Sequence, residues 1–130
     1  AVFISSTVFA YPHFSALFEA EGKTAVIGVV NLYLVSVIFS LLMVCRKNIW
    51  IACGLHSIWN FILYAVLGLN LSGKEGQKTG IICFYMNTSD IINGGQYGIE
   101  AGVVTTTVLT TVVIVICMLM RKIRMNENGV

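Results

Sequence analysis

TAVIGVVNLYLVSVIFSLLMVC, residues 24–45, runs for 22 positions without one charged side chain. About 20 consecutive apolar residues span the hydrocarbon core of a bilayer as a helix. Backbone groups in lipid must be satisfied within the segment, so such a run reads as a helix rather than a loop. Barrel strands would alternate in polarity over about 10 residues. Val-Val-Ile-Val-Ile at 112–116 does not alternate.

Working outward, charges interrupt the chain at only a few places, leaving three further uncharged runs at 1–18, 48–73 and 101–120. The composition agrees. Of 130 residues, 57% are hydrophobic and 11% charged, with a mean hydropathy of +0.85. Soluble domains carry near 25% charge, and disordered chains need low hydrophobicity. The expected fold is all-α: a polytopic membrane protein with four transmembrane helices near 1–19, 25–45, 49–71 and 101–120. It forms a single membrane domain over 1–130. A glycine-rich, partly interfacial loop precedes the last helix. A start at alanine inside an apolar run reads as a piece of a longer, N-terminally truncated chain.

Lys and Arg orient the helices. Arg46, Lys47, Arg121, Lys122 and Arg124 fall on one side, with Glu127 as its only acid. Lys23, Lys74 and Lys78 fall on the other with five acids. Helices two and four then run inward, placing the C-terminus in the cytoplasm of, by preference, a bacterial cell membrane. Nucleic acid is not an expected partner; the lipid bilayer is. The four cysteines form no CxxC pair, and they read as small apolar side chains.

Ionisable groups inside a membrane helix are costly and point to function. The two histidines of the chain both sit there. His13 lies four residues after Phe9, on the same helical face, directly behind Pro12. His56 has Asn60 one turn later, with Trp59 beside it. Imidazole can ligate a metal, take a proton or donate a hydrogen bond, and a carboxamide can donate to a developing oxyanion. By helical rise His56 lies about 10 Å from the inner end and His13 about 18 Å. To meet, the first helix must be kinked at Pro12 or offset along its axis. Gly94, Gly98 and Gly102 form either a helical small-residue face or a glycine loop before a helix. Glu100 reads as a carboxylate held by the helix N-terminus. The threonines from Thr105 to Thr111 read as interhelical hydrogen bonders.

In order, Phe9-x-x-x-His13, Gly54-Leu55-His56-Ser57-Ile58-Trp59-Asn60-Phe61 and Gly94-Gly95-Gln96-Tyr97-Gly98-Ile99-Glu100 resemble the C-terminal half of the CPBP intramembrane proteases. These are the CAAX proteases and bacteriocin-processing enzymes, also called the Abi family. The resemblance implies a membrane endopeptidase, a hydrolase acting on a prenylated or bacteriocin-like peptide substrate. It implies His13, His56 and Asn60 as catalytic residues, supported by Phe9 and Trp59. It leaves the cofactor open: a zinc-type divalent metal held by His13 and His56, or a metal-free glutamate mechanism.

The sequence departs from the family in one respect. No two of its six acidic residues are adjacent, so no Glu-Glu-x-x-x-Arg is present. That motif is expected on missing N-terminal helices, and this fragment alone is expected to be inactive. The alternative is a non-catalytic membrane protein in bacteriocin self-immunity or partner binding.

Overall fold

The computed structural model describes residues 2–20, 22–76, 81–82 and 91–127. Among these, every regular element is helical: α1 (Val2–Ala10), a 3-10 turn (Tyr11–His13), α2 (Phe14–Glu19), α3 (Gly22–Arg46), α4 (Ile49–Asn60), two further 3-10 turns (Gly95–Tyr97 and Ile99–Ala101) and α5 (Val103–Glu127). A π-helical stretch, Phe61–Val66, continues α4. Among the described residues, three segments are long and apolar enough to cross a membrane: Gly22–Arg46, Ile49–Val66 and Val103–Asn126. The chain is an integral membrane protein.

The first segment, expected near 1–19 as one helix kinked at Pro12 or offset along its axis, goes further than a kink. It is broken by the 3-10 turn around Pro12. Proline has no N–H to offer Val8, and its ring crowds that carbonyl, so the α-helical ladder cannot pass through. The third helix is also shorter than expected, ending in the π-helical stretch at Val66 rather than at 71. There Leu67 N–H donates to the carbonyl of Ile62, five residues back, at 2.9 Å. Asn48 starts α4 by accepting from Trp50 N–H at 2.9 Å, an N-cap. The apolar stretch 81–86 and Cys83 lie largely or wholly outside the described residues.

α3 is the central element, packed by α1, α2, α4, α5 and the Ile99–Ala101 turn. Leu17, Tyr97 and Ala101 form the buried core, flanked by Phe14, Val29 and Leu32. Gly28 lets these surfaces close, since a Cβ there would run into the Leu17 side chain and reach Ala101 Cβ at 3.3 Å. Elsewhere lipid is as apolar as the side chains, so association relies on close packing and polar contacts. Ser36 Oγ donates to Ser6 Oγ at 2.8 Å, and Thr7 shares a 3.1 Å hydrogen bond with Tyr33. By contrast, α5 leaves Ile114, Val115, Met118 and Leu119 exposed, as suits a lipid-facing helix.

The glycine stretch before α5 takes the loop form. Gly94 and Gly98 have φ of +83° and +108°, which L side chains rarely adopt. The threonines depart from expectation. Thr106, Thr107, Thr110 and Thr111 donate to the carbonyls four residues back within α5. Thr105 donates to Ile99 O at 2.6 Å. A threonine hydroxyl reaches its own preceding turn without any partner helix, and here that local bond prevails.

Candidate functional site

The α3 residues Gly28, Asn31, Leu32, Val35 and Phe39 recur at helical spacing and form one wall of a cavity of about 290 Å³. α1 and its 3-10 turn contribute Phe9 and His13; α4 contributes Leu55, His56 and Trp59. Tyr97, Glu100 and the Thr105 to Val112 face of α5 complete it.

His13 and His56 are brought to the same cavity with the Phe9 ring between them. Its centroid lies 5.6 Å from the His13 ring and 5.4 Å from the His56 ring, edge-on to the latter. Phe39 closes the cluster, 5.7 Å from Phe9 and 5.9 Å from His56. The break at Pro12 lies directly beside His13. Asn60 Nδ2 lies 3.3 Å from His56 Nε2, as the i, i+4 spacing requires. A carboxamide nitrogen only donates, so in this arrangement Nε2 accepts and the proton sits on Nδ1.

Glu100 departs from its expected role. Its carboxylate does not simply sit at a helix start; it ties three parts of the chain together. Oε1 accepts from Trp59 Nε1 at 3.0 Å, and Oε2 accepts from Ser72 N at 3.0 Å and Ser72 Oγ at 2.7 Å. Ser72 and Gly73 have φ of +51° and +78°, and Leu71 and Lys74 exchange backbone hydrogen bonds at 3.0 and 2.9 Å. Two central residues at positive φ are the mark of a type I′ turn. Glu100 O accepts from Asn31 Nδ2 at 2.7 Å, and Gly102 O does so at 3.1 Å. Burial pushes the Tyr97 phenol up to about 12; Ser72 works against this and the Glu100 charge adds to it.

Other polar atoms are left open. Among the described residues, the buried side-chain N and O atoms without a hydrogen-bond partner are His13 Nδ1, Asn31 Oδ1 and Tyr97 Oη. All three residues line this cavity. A metal fits the donor set poorly. The two imidazoles flank a phenyl ring, Nε2 of His56 faces Asn60, and no three His, Cys, Asp or Glu side chains converge among the described residues. Structural zinc takes four ligands and catalytic zinc three protein ligands.

Asn31, Phe39, Ser72, Tyr97 and Glu100 were not singled out as site residues by the sequence. A signal existed for Asn31, the one carboxamide in the uncharged run 24–45. The criterion that picks out His13 and His56 applies to it equally.

A helical membrane protein with two histidines and a carboxamide around an apolar cavity is therefore the class the fold and site define. The family model of the type II CAAX prenyl endopeptidases, Rce1-like, matches residues 1–62. That span contains Phe9, His13, His56, Trp59 and Asn60, and it supports the resemblance to the CPBP/CAAX proteases. Glu100 lies beyond it. No curated protein and no solved structure gives a significant match.

Proposed function

We propose that this chain supplies the histidine and asparagine part of a CAAX-type intramembrane endopeptidase, hydrolysing a peptide bond of a membrane-associated substrate. The observation that carries the reading is the convergence of His13 and His56 on one largely apolar cavity, with Asn60 bonded to His56. Walls of Val35, Ile38, Leu109 and Val112 exclude bulk water, which strengthens every polar contact made inside.

In this reading the substrate carbonyl enters between α1 and α4. The imidazole of His13, which lines the cavity, orients the attacking water. With the His56 proton on Nε2 instead, and the Asn60 carboxamide turned so that Oδ1 accepts it, two N–H donors are free for the oxyanion of the tetrahedral intermediate. The proton of water needs a base within hydrogen-bond reach. Glu100 is poorly suited, since both its oxygens already accept from Trp59 and Ser72. We assign the base to a glutamate of the Glu-Glu-x-x-x-Arg type outside these 130 residues. No step is routed through a metal. The basic ends of α3 and α5 face the cytoplasm of a bacterial membrane in this reading.

The lack of an adjacent acidic pair favours one competing reading, a non-catalytic protein of bacteriocin immunity. The test is cleavage of a fluorogenic prenylated peptide by the full-length protein in nanodiscs. His56→Ala and Asn60→Ala should each lower the rate at least about 100-fold, the loss seen when an oxyanion donor is removed. Undiminished proteolysis in both variants would sink the assignment.

A further inference from the structure

Five of the eight Lys and Arg residues, Arg46, Lys47, Arg121, Lys122 and Arg124, sit at the ends of α3 and α5. All five are exposed. None makes an ion pair among the described residues.

Their relative heights follow from the packing. A Cβ on Gly28 would lie 3.3 Å from Ala101 Cβ, and Asn31 Nδ2 donates to Glu100 O and Gly102 O. So α5 begins level with the first third of α3. Both helices then line the cavity in step, Val35 and Phe39 on one, Leu109 and Val112 on the other. They run parallel. At about 1.5 Å per residue, Arg46 lies about 27 Å beyond the Gly28–Ala101 level, and Arg121 and Arg124 about 30 and 35 Å beyond it. The five cations therefore share one layer about 8 Å deep.

That layer coincides with a membrane boundary. As a helix the uncharged run 24–45 is about 33 Å long, close to the roughly 30 Å of a hydrocarbon core, so Arg46 emerges where the core ends. The headgroup region beyond it is about 5–8 Å thick on each side. α4 supplies an independent marker. The chain turns back at Lys47, with φ of +50°, and the His56 ring lies 5.9 Å from that of Phe39. Trp50 is then about 26 Å beyond the same level. It is 77% exposed, and an exposed indole at that height marks a membrane interface. Met43, Val44, Met118 and Leu119 are exposed just beneath the cations, as suits contact with lipid rather than with a soluble partner.

Basic residues at one end orient helices during insertion. In the folded protein, five cations without an internal partner also call for counter-charge. The group present at that depth is the phosphate of a phospholipid, and an anionic lipid leaves its negative charge uncompensated there.

We propose that the ends of α3 and α5 form a basic belt that binds the headgroups of anionic glycerophospholipids. The belt sets the depth of the α3–α5 pair in the bilayer. It does not depend on the endopeptidase reading.

Trp50 reports on it. The full-length protein is placed in phosphatidylcholine nanodiscs containing rising fractions of either phosphatidylglycerol or phosphatidylcholine brominated near the headgroup end of the acyl chains. Bromine quenches a neighbouring indole, and the Trp50 signal is the difference between wild type and Trp50→Phe. Half-maximal quenching should need about 5-fold less of the brominated anionic lipid, the worth of one Lys or Arg near an anionic surface. Screening by about 0.5 M NaCl should bring the two lipids together. Arg46→Gln with Lys47→Gln should lower the preference, and adding Arg121→Gln, Lys122→Gln and Arg124→Gln should abolish it.

Equal quenching by the two lipids in the wild type at low salt overturns the belt. So does a preference that survives in full with all five glutamines, since other charges then attract the lipid. A Trp50 that neither lipid quenches overturns it too; a protein segment then covers this end. The wild-type and salt comparisons leave the five cations intact, so poor folding of the glutamine variants does not protect the proposal.

Discussion

Replacing Glu100 tests the cross-link that holds one side of the cavity. The carboxylate accepts three hydrogen bonds, from Trp59 Nε1, Ser72 N and Ser72 Oγ. A hydrogen bond to a charged group contributes about 1.5–3 kcal/mol when buried. The Trp59 bond is the most exposed of the three, and its share is taken below that range. The two Ser72 bonds are partly buried and also hold a non-glycine residue at positive φ. Glu100→Ala should therefore destabilise by about 2–3 kcal/mol. Glu100→Gln retains one acceptor oxygen. Turned towards Ser72 it keeps that turn and sets an NH₂ against the indole N–H, so it should cost about 1 kcal/mol. Unfolding would be followed by circular dichroism in mixed micelles of rising SDS content. A cycle with Trp59→Phe, which deletes the indole N–H, isolates the Trp59–Glu100 term, expected at about 0.5–1 kcal/mol. A Glu100→Ala protein within about 0.5 kcal/mol of wild type, the usual scatter for an uninvolved surface site, would refute the cross-link.

Gly98→Ala should cost more than about 2 kcal/mol, because the position combines φ of +108° with a backbone contact. Its Cβ would strike Asn70 O; wild-type stability in the same SDS titration would contradict that. Asn48→Ala should lose about 1 kcal/mol through the α4 cap, with Asn48→Ser recovering most of it. An absorbance titration should show one tyrosine ionising only near 12, absent in Tyr97→Phe. The folded value lies above the ordinary 10.0, so the stability from neutral Tyr97 is complete below pH 10 and is lost as pH rises towards about 12. Identical titration curves for wild type and Tyr97→Phe above pH 11 would show Tyr97 to be hydrated.

The helices were legible because the signal is collective. Long uncharged runs have few alternatives in lipid, and 24–45 gave α3 to within a few residues. The i, i+4 spacings of Phe9 with His13 and of His56 with Asn60 were legible for the same local reason. What escaped was set by contacts far apart in the chain. Glu100 bonds to Trp59, 41 positions away, and its carbonyl to Asn31, 69 positions away. Periodicity reports the face of one helix and does not report which faces meet. The threonine run shows the reverse: interhelical partners were expected, while the short side chain bonded to the turn beneath it.

Partner status separates the polar residues of this cavity better than residue type does. Glu100, the only acidic side chain lining the cavity among the described residues, is the natural candidate for catalysis by type alone. Three donors already converge on it, so drawing it towards a water would dismantle the Ser72 turn and release Trp59, three residues from His56. Asn31 and Tyr97 would pass for ordinary packing groups by type. Yet their buried Oδ1 and Oη atoms are left without partners, and the nitrogen of Asn31 is fixed by backbone carbonyls just before α5. The saturated set therefore builds the frame. Its parts are joined at a single residue: the side chain of Glu100 holds α4 and the Ser72 turn, while its carbonyl aims Asn31. A change in that carboxylate should consequently disturb the Asn31 bond on α3 as well as the Ser72 turn, so that its effect spreads to both sides of the cavity.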